Sequence, residues 1–200
     1  ITGKNHDYEG ASKIFNEILP YAEGQMKGKI QDKLACCWYF EGVQYAMRQQ
    51  YGLSLKCMIE ARQGYHAIGK TKDETDALCK IGSLHESLLN FEAANSAYQE
   101  ARKLAETLGN QVQLMEILRD LRKISQTLGD MASDRRYENE MDSLVENGSD
   151  GQVKFDYSCV KADEAISNQD YGLAEDWLRK NEDYMMQLPA LNVSDRYKYH

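Results

Sequence analysis

The fold is decided by residues 82–101, which read GSLHESLLNFEAANSAYQEA. Phe91 follows a turn, small Ala94 comes three positions later and bulky Tyr98 seven positions later, which is the spacing of one helix face. The preceding segment repeats its apolar residues at helical spacing, at Leu78, Ile81, Leu84 and Leu88. Two helices joined by a short turn are therefore predicted here.

The same arrangement recurs along the chain at a nearly constant period. The turn-flanking anchors are Tyr8, Tyr51, Phe91, Met131 and Tyr171. Their separations are 43, 40, 40 and 40 residues. A repeat of this length, with two helices in each period, predicts an α-solenoid of stacked hairpins.

Two hairpins carry a more specific pattern. The first set of positions is Trp38, Gly42, Tyr45, Tyr51, Met58 and Ala61, and the second is Leu78, Gly82, Phe91, Ala94, Tyr98 and Ala101. This spacing resembles the tetratricopeptide repeat family, in its long-period variety found in bacterial regulators and sensor proteins. The resemblance implies an all-α, right-handed α-solenoid of antiparallel helix-turn-helix hairpins.

We expect one solenoid fragment over residues 1–200. Its hairpin units are predicted at roughly 1–28 (partial), 29–70, 71–110, 111–150, 151–190 and 193–200 (partial). Both ends are expected to be cut from a longer array, with a next helix starting at Ser194. Glycines such as Gly69 and Gly109 are expected to end helices.

Small residues let the two helices of a hairpin approach closely, so we expect Gly82 to contact Ala94. One period later the corresponding residues are Arg122 and Asp134. Either these two form an ion pair between the helices, or the register slips by one and places Ser133 in the small position and Tyr137 in the core. The slip is favoured because it aligns Tyr137 with further apolar residues.

Charge and composition exclude several classes of partner. The net charge is −8 without a basic patch, so neither nucleic acid nor direct binding to an anionic membrane is expected. Self-association is a further expectation, since uncapped ends of a solenoid expose apolar edges. The sequence assigns no compartment, and both a cytoplasmic location and a periplasmic sensor domain stay open.

No catalytic or metal-binding pattern is found. The four histidines lack zinc spacing, and neither a phosphate-binding glycine loop nor a nucleophile elbow occurs. His85 is expected to be a packed, hydrogen-bonded histidine, and the five cysteines are expected to be buried or half-buried free thiols. The chain is therefore predicted to be a non-enzyme without cofactor or metal.

The resemblance implies a concave inner wall built from the first helix of each hairpin. The predicted partner-binding residues on this wall are Tyr39, Phe40, Val43, Met47, Lys80, Arg119 and Lys123. In an alternative interpretation, the four apolar residues of this set pack on a preceding helix and the three basic residues form a solvated face. The lysines lack the asparagines of the family members that clamp a terminal carboxylate, so chaperone-tail binding is not expected.

Two functions are carried forward. The first is a protein- or peptide-binding scaffold that uses the concave face. The second is a sensor or regulatory segment of a larger bacterial signal-transduction protein, whose effector domain lies elsewhere.

Overall fold

The structure, a computed structural model, describes residues 7–148 and 150–187. Within these ranges it is all-α, with successive helices packed as antiparallel hairpins and no β-strand. The predicted all-α class of helical hairpins is confirmed. The chain forms two compact units, the first ending at Gly109 and the second beginning at Asn110.

The helices of the first unit are α1 (Tyr8–Ile18), α2 (Gly24–Met47), α3 (Tyr51–Ala67), α4 (Thr71–Ser87) and α5 (Phe91–Leu108). The helices of the second unit are α6 (Gln111–Leu128), α7 (Met131–Asn147), α8 (Gly151–Ser167) and α9 (Tyr171–Gln187). A short 3-10 turn, Leu19–Tyr21, precedes α2.

Most of the turns use one residue in the left-handed conformation. These residues are Gln49, Gly69, Leu89, Gly109, Gly129 and Gln169, with φ between 58° and 72°. Glycine adopts this conformation without steric cost, and the predicted helix ends at Gly69 and Gly109 are confirmed. In the second unit each helix start is also capped by an Asx side chain, as where Asn110 accepts from the Gln113 amide at 3.2 Å.

The first unit has an apolar core between its hairpins. Met58 of α3 packs with Ile81 and Leu84 of α4 and Ala97 of α5. Within the α2–α3 hairpin, buried Ser54 donates a hydrogen bond to the Gly42 carbonyl at 2.7 Å. The small pair therefore brings the two backbones together, because neither side chain keeps them apart.

The nearest neighbour of the side-chain position of Gly82 is Tyr98, and the predicted contact of Gly82 with Ala94 stays a prediction. A Cβ placed on Gly82 would lie 2.7 Å from Cε1 of the Tyr98 ring, and the three nearest atoms all belong to that ring. The Tyr98 hydroxyl donates to Glu86 at 2.7 Å, which fixes the ring across the glycine. The glycine is required here because an aromatic ring occupies the space of a side chain.

The favoured register slip around Met131 is wrong. Asp134 is buried and Arg122 Nε lies 2.9 Å from its Oδ1, so the ion pair of the other alternative is the observed arrangement. Ser133 is half-buried at the helix start, where its amide donates to Asp130. Tyr137 is buried, as the slip predicted. Its burial does not require the slip, because Tyr137 lies on the helical turn that follows the buried Asp134.

The cysteines and His85 were further subjects of prediction. All five cysteines are free, with Cys37 buried and the others half-buried, as predicted. His85 is half-buried, but its Nδ1 makes no hydrogen bond to any residue that the structure describes, so the expected hydrogen-bonded histidine is wrong at that atom. The helix start expected at Ser194 lies outside the described residues.

Candidate binding groove of the second unit

A groove of about 470 Å³ lies between α6 and α8, the first helices of the two hairpins of the second unit. Its lining residues are Arg119, Arg122, Lys123 and Gln126 from α6, and Val160, Asp163, Glu164, Ser167 and Asn168 from α8. Every lining position except Val160 carries a polar or charged group. The groove can therefore hydrogen-bond a backbone as well as pair with charges.

The two walls of this α6/α8 groove differ in charge. Arg119 and Lys123, one helical turn apart, form an exposed basic edge on α6. Exposed Asp163 lies on the opposite wall. The guanidinium of Arg119 lies 3.2 Å from the carboxylate of Asp120 on the same helix.

Buried Arg122 connects three helices through carboxylates. It contacts Asp134 at 2.9 Å, Glu138 at 3.4 Å and Glu164, so α6 is joined to both α7 and α8. Gln126 also donates to Asp134, at 3.0 Å. One face of the groove is therefore supported by a charge network that fixes the position of its side chains.

Lys161 completes this network from α8. It binds Glu138 and lies 3.3 Å from Glu164. The hydrogen bond from Lys161 lowers the pKa of Glu138, with a further contribution from the charge of Arg122. The network, defined as Arg122, Asp134, Glu138, Lys161 and Glu164, thus holds two basic groups and three carboxyl groups.

Asp156 lies on α8 one turn before Val160. It is only 7% exposed, and its Oδ1 accepts from Gln152 at 2.8 Å, whereas its buried Oδ2 accepts no hydrogen bond from the described residues. Burial raises the pKa of Asp156 to about 6, and the nearby Glu116 acts in the same direction. Sequence reasoning missed this residue because an aspartate on a helix reads as surface.

The structure brings two of the predicted binding residues, Arg119 and Lys123, to this groove. Lys80, in the first unit, is exposed on α4. The sequence indicated the basic residues because they share one face of a helix. It did not indicate the acidic wall, because that prediction requires knowing that α6 and α8 are neighbours.

The apolar residues of the predicted wall have several environments. Tyr39 and Val43 are half-buried and pack on the apolar core around Met58. Phe40 is 42% exposed and stacks on Tyr8 of α1, with ring centroids 5.4 Å apart. Met47 is 81% exposed at the end of α2.

Two searches of the described residues bear on other kinds of site. No group of three or more histidine, cysteine, aspartate or glutamate side chains within residues 7–148 and 150–187 is placed to hold a metal ion. In those same ranges, no helix is both long and apolar enough to cross a bilayer.

Comparisons with known proteins locate the likeness in the fold. The crystal structure of BtubC (BKLC) from P. vanneervenii matches this chain with a TM-score of 0.60 at 14% sequence identity. It is a structural neighbour. The match covers 93% of this chain and 77% of that one, and at such low identity it shows the fold alone. No protein-family model matches the chain. No curated protein matches it either.

Proposed function

We propose that this protein is a peptide-binding scaffold, and that the α6/α8 groove holds an extended segment of another protein. The observation that carries the proposal is the groove itself, open between two helices and lined by charged and hydrogen-bonding side chains from both. The tetratricopeptide-like spacing of the sequence supports the same function.

The chemistry of the groove favours an extended peptide over a small molecule. Gln126, Ser167 and Asn168 offer amides and a hydroxyl, which match the donors and acceptors of a peptide backbone. The basic edge of Arg119 and Lys123 attracts an acidic side chain of the peptide. The supporting charge network positions the groove before binding, which lowers the entropic cost of association.

The test is selection of a random peptide library, displayed on phage, against the wild-type chain. Selected peptides are synthesised with a fluorophore, and their dissociation constants are measured by fluorescence anisotropy. We expect Arg119→Glu/Lys123→Glu to weaken binding at least about tenfold, because each contact with a charged group contributes on the order of 1 kcal/mol.

A matched control carries the same change of charge on the first unit. Lys72→Glu/Lys103→Glu alters two exposed lysines outside the groove and should leave the dissociation constants unchanged. Circular dichroism shows whether each variant is folded. If no peptide is enriched, or if both double variants bind alike, the α6/α8 groove is not a peptide-binding surface.

A further inference from the structure

The two units use the same helix positions for different chemistry. In the first unit an apolar cluster joins α3 to the next hairpin; it consists of Met58, Ile81, Leu84 and Ala97. Two 40-residue periods further along the chain, the corresponding residues are Glu138, Lys161, Glu164 and Trp177. An apolar contact between hairpins has thus become an ionic one, with a tryptophan in place of the alanine.

This replacement leaves an apolar space without its usual occupant. In the first unit the side chain of Met58 packs in one cluster with Ile81, Leu84 and Ala97. In the second unit Glu138 stands at the position of Met58, but its carboxylate binds Lys161 and Arg122. A pocket of about 360 Å³ opens beside Trp177, bordered by Leu173, Ala165 and the pair Lys161–Glu164.

Side-chain contacts hold the residues around this Trp177 pocket, and the pocket does not require a charged ligand. The ring of Tyr157 meets the indole edge to face at 5.7 Å, and Lys180 Nζ lies 4.0 Å from its centroid. Lys161 and Glu164 already neutralise each other. The other acidic lining residue, Asp170, accepts a hydrogen bond from the Leu173 amide at 3.1 Å. Because these polar groups have partners and Trp177, Leu173 and Ala165 form the apolar lining, we expect the pocket to favour an apolar side chain.

The pocket lies next to the α6/α8 groove. Glu164 and Asn168 line both, so one short segment of chain can span the two. An extended peptide advances about 3.3 Å per residue, and consecutive side chains point to opposite sides. A peptide in the groove can therefore direct one side chain into the pocket while a neighbouring residue contacts the basic edge.

We propose that the Trp177 pocket is an anchor site for one leucine or methionine side chain of the bound peptide, and that an acidic residue of the same peptide contacts Arg119 and Lys123. This inference rests on the proposed peptide binding. A methionine packs with the residues at the corresponding positions of the first unit, and the groove edge is basic; both favour such a peptide.

The chain contains two tryptophans, so the fluorescence of Trp177 can report whether the pocket is occupied once Trp38 is replaced. In the Trp38→Phe background, peptides from the phage selection are titrated while emission and acrylamide quenching are recorded. We expect a blue shift and reduced quenching on binding. Replacing the leucine or methionine of the peptide by serine should weaken binding at least about tenfold, from the burial of one apolar side chain.

Two variants of the protein separate the pocket from the groove. Glu138→Met places an apolar side chain at the position of Met58 and should weaken the apolar peptide more than its serine version, whose binding reports only the loss of the network that supports the groove. Leu173→Ser removes part of the pocket wall at an exposed position and should act in the same direction. Leu178→Ser, equally exposed on α9 but outside the pocket lining, is the matched control.

The outcomes distinguish the two proposals. Peptides that depend on Arg119 and Lys123 but leave Trp177 emission unchanged, and bind equally well with serine, would overturn the anchor site and leave the groove. A selection that yields no peptide would overturn both. Binding that is lost with Leu173→Ser and kept with Leu178→Ser supports the anchor site.

Discussion

Replacing Arg122 tests whether the charge network of the second unit is a necessary part of its structure. The side chain is 8% exposed and contacts three carboxylates, those of Asp134, Glu138 and Glu164. Arg122→Met keeps an unbranched apolar side chain in the space and removes only the charge and the donors. What remains is Lys161 as the one cation of the network facing three acids.

The expected cost follows from the burial of the groups left behind. Removing one partner of a buried ion pair typically destabilises a protein by about 3–5 kcal/mol. The side chain of Asp134 is 11% exposed, whereas those of Glu138 and Glu164 are 31% and 29% exposed and retain Lys161. Since only Asp134 is left deeply buried without its cation, we expect the lower end, about 3 kcal/mol.

A double-mutant cycle isolates the pair. Asp134→Ser restores the residue found at the same position of the first unit, Ser54, and the double variant leaves no stranded aspartate. We expect Arg122→Met/Asp134→Ser to cost less than Arg122→Met alone, with a coupling of about 2 kcal/mol. Urea denaturation followed by Trp177 fluorescence in the Trp38→Phe background measures each corner of the cycle.

A cost of Arg122→Met below about 1 kcal/mol, or effects of the two substitutions that simply add, would refute the reasoning that the pair compensates buried charges.

Three further changes have defined expectations. Gly82→Leu should lower the free energy of unfolding by about 2–4 kcal/mol by displacing the Tyr98 ring. The control is Gly28→Leu, which should not lower it, because no atom lies within 4 Å of the Gly28 Cβ position. Similar melting temperatures for the two variants would contradict the ring contact. Asp156→Asn should stabilise the protein by about 2–3 kcal/mol above pH 6 and not at all below about pH 4. The pKa of Asp156 is about 6 in the folded protein, above its value in the unfolded chain, so wild-type stability falls as the pH rises from the unfolded pKa to the folded one. Urea titrations at both pH values check this. Gly129→Ala should cost about 1 kcal/mol, since φ is 72° there, and an unchanged melting temperature would argue against the left-handed turn.

The repeat made the hairpins predictable, because the turn and the residues after it carry the signal. Phe91, Ala94 and Tyr98 mark the second helix of a hairpin by spacing alone, and α5 begins at Phe91. The contact of Gly82 with the Tyr98 ring was not predictable in the same way. Spacing shows that a position must be small, but which side chain covers it depends on the direction in which that side chain points.

The register at Asp134 was mispredicted for a related reason. A buried aspartate contradicts the apolar pattern unless a cation faces it, and Arg122 stands twelve residues earlier, the same separation as Gly42 and Ser54. Comparing residues two periods apart would have found this pair. It would also have drawn attention to Trp177, which sequence reasoning missed because its counterpart, Ala97, is an ordinary core residue.

The exchange of an apolar cluster for an ionic one also sets how each unit responds to heat. Exposing the apolar surface around Met58 raises the heat capacity, so that contact weakens on cooling. The contact of Glu138 with Lys161 instead carries a desolvation penalty, and this penalty falls as the temperature rises. Both contacts therefore strengthen on warming from low temperature, but only the apolar one adds to the heat capacity of unfolding, so calorimetry should find a larger heat-capacity change per residue for the first unit than for the second.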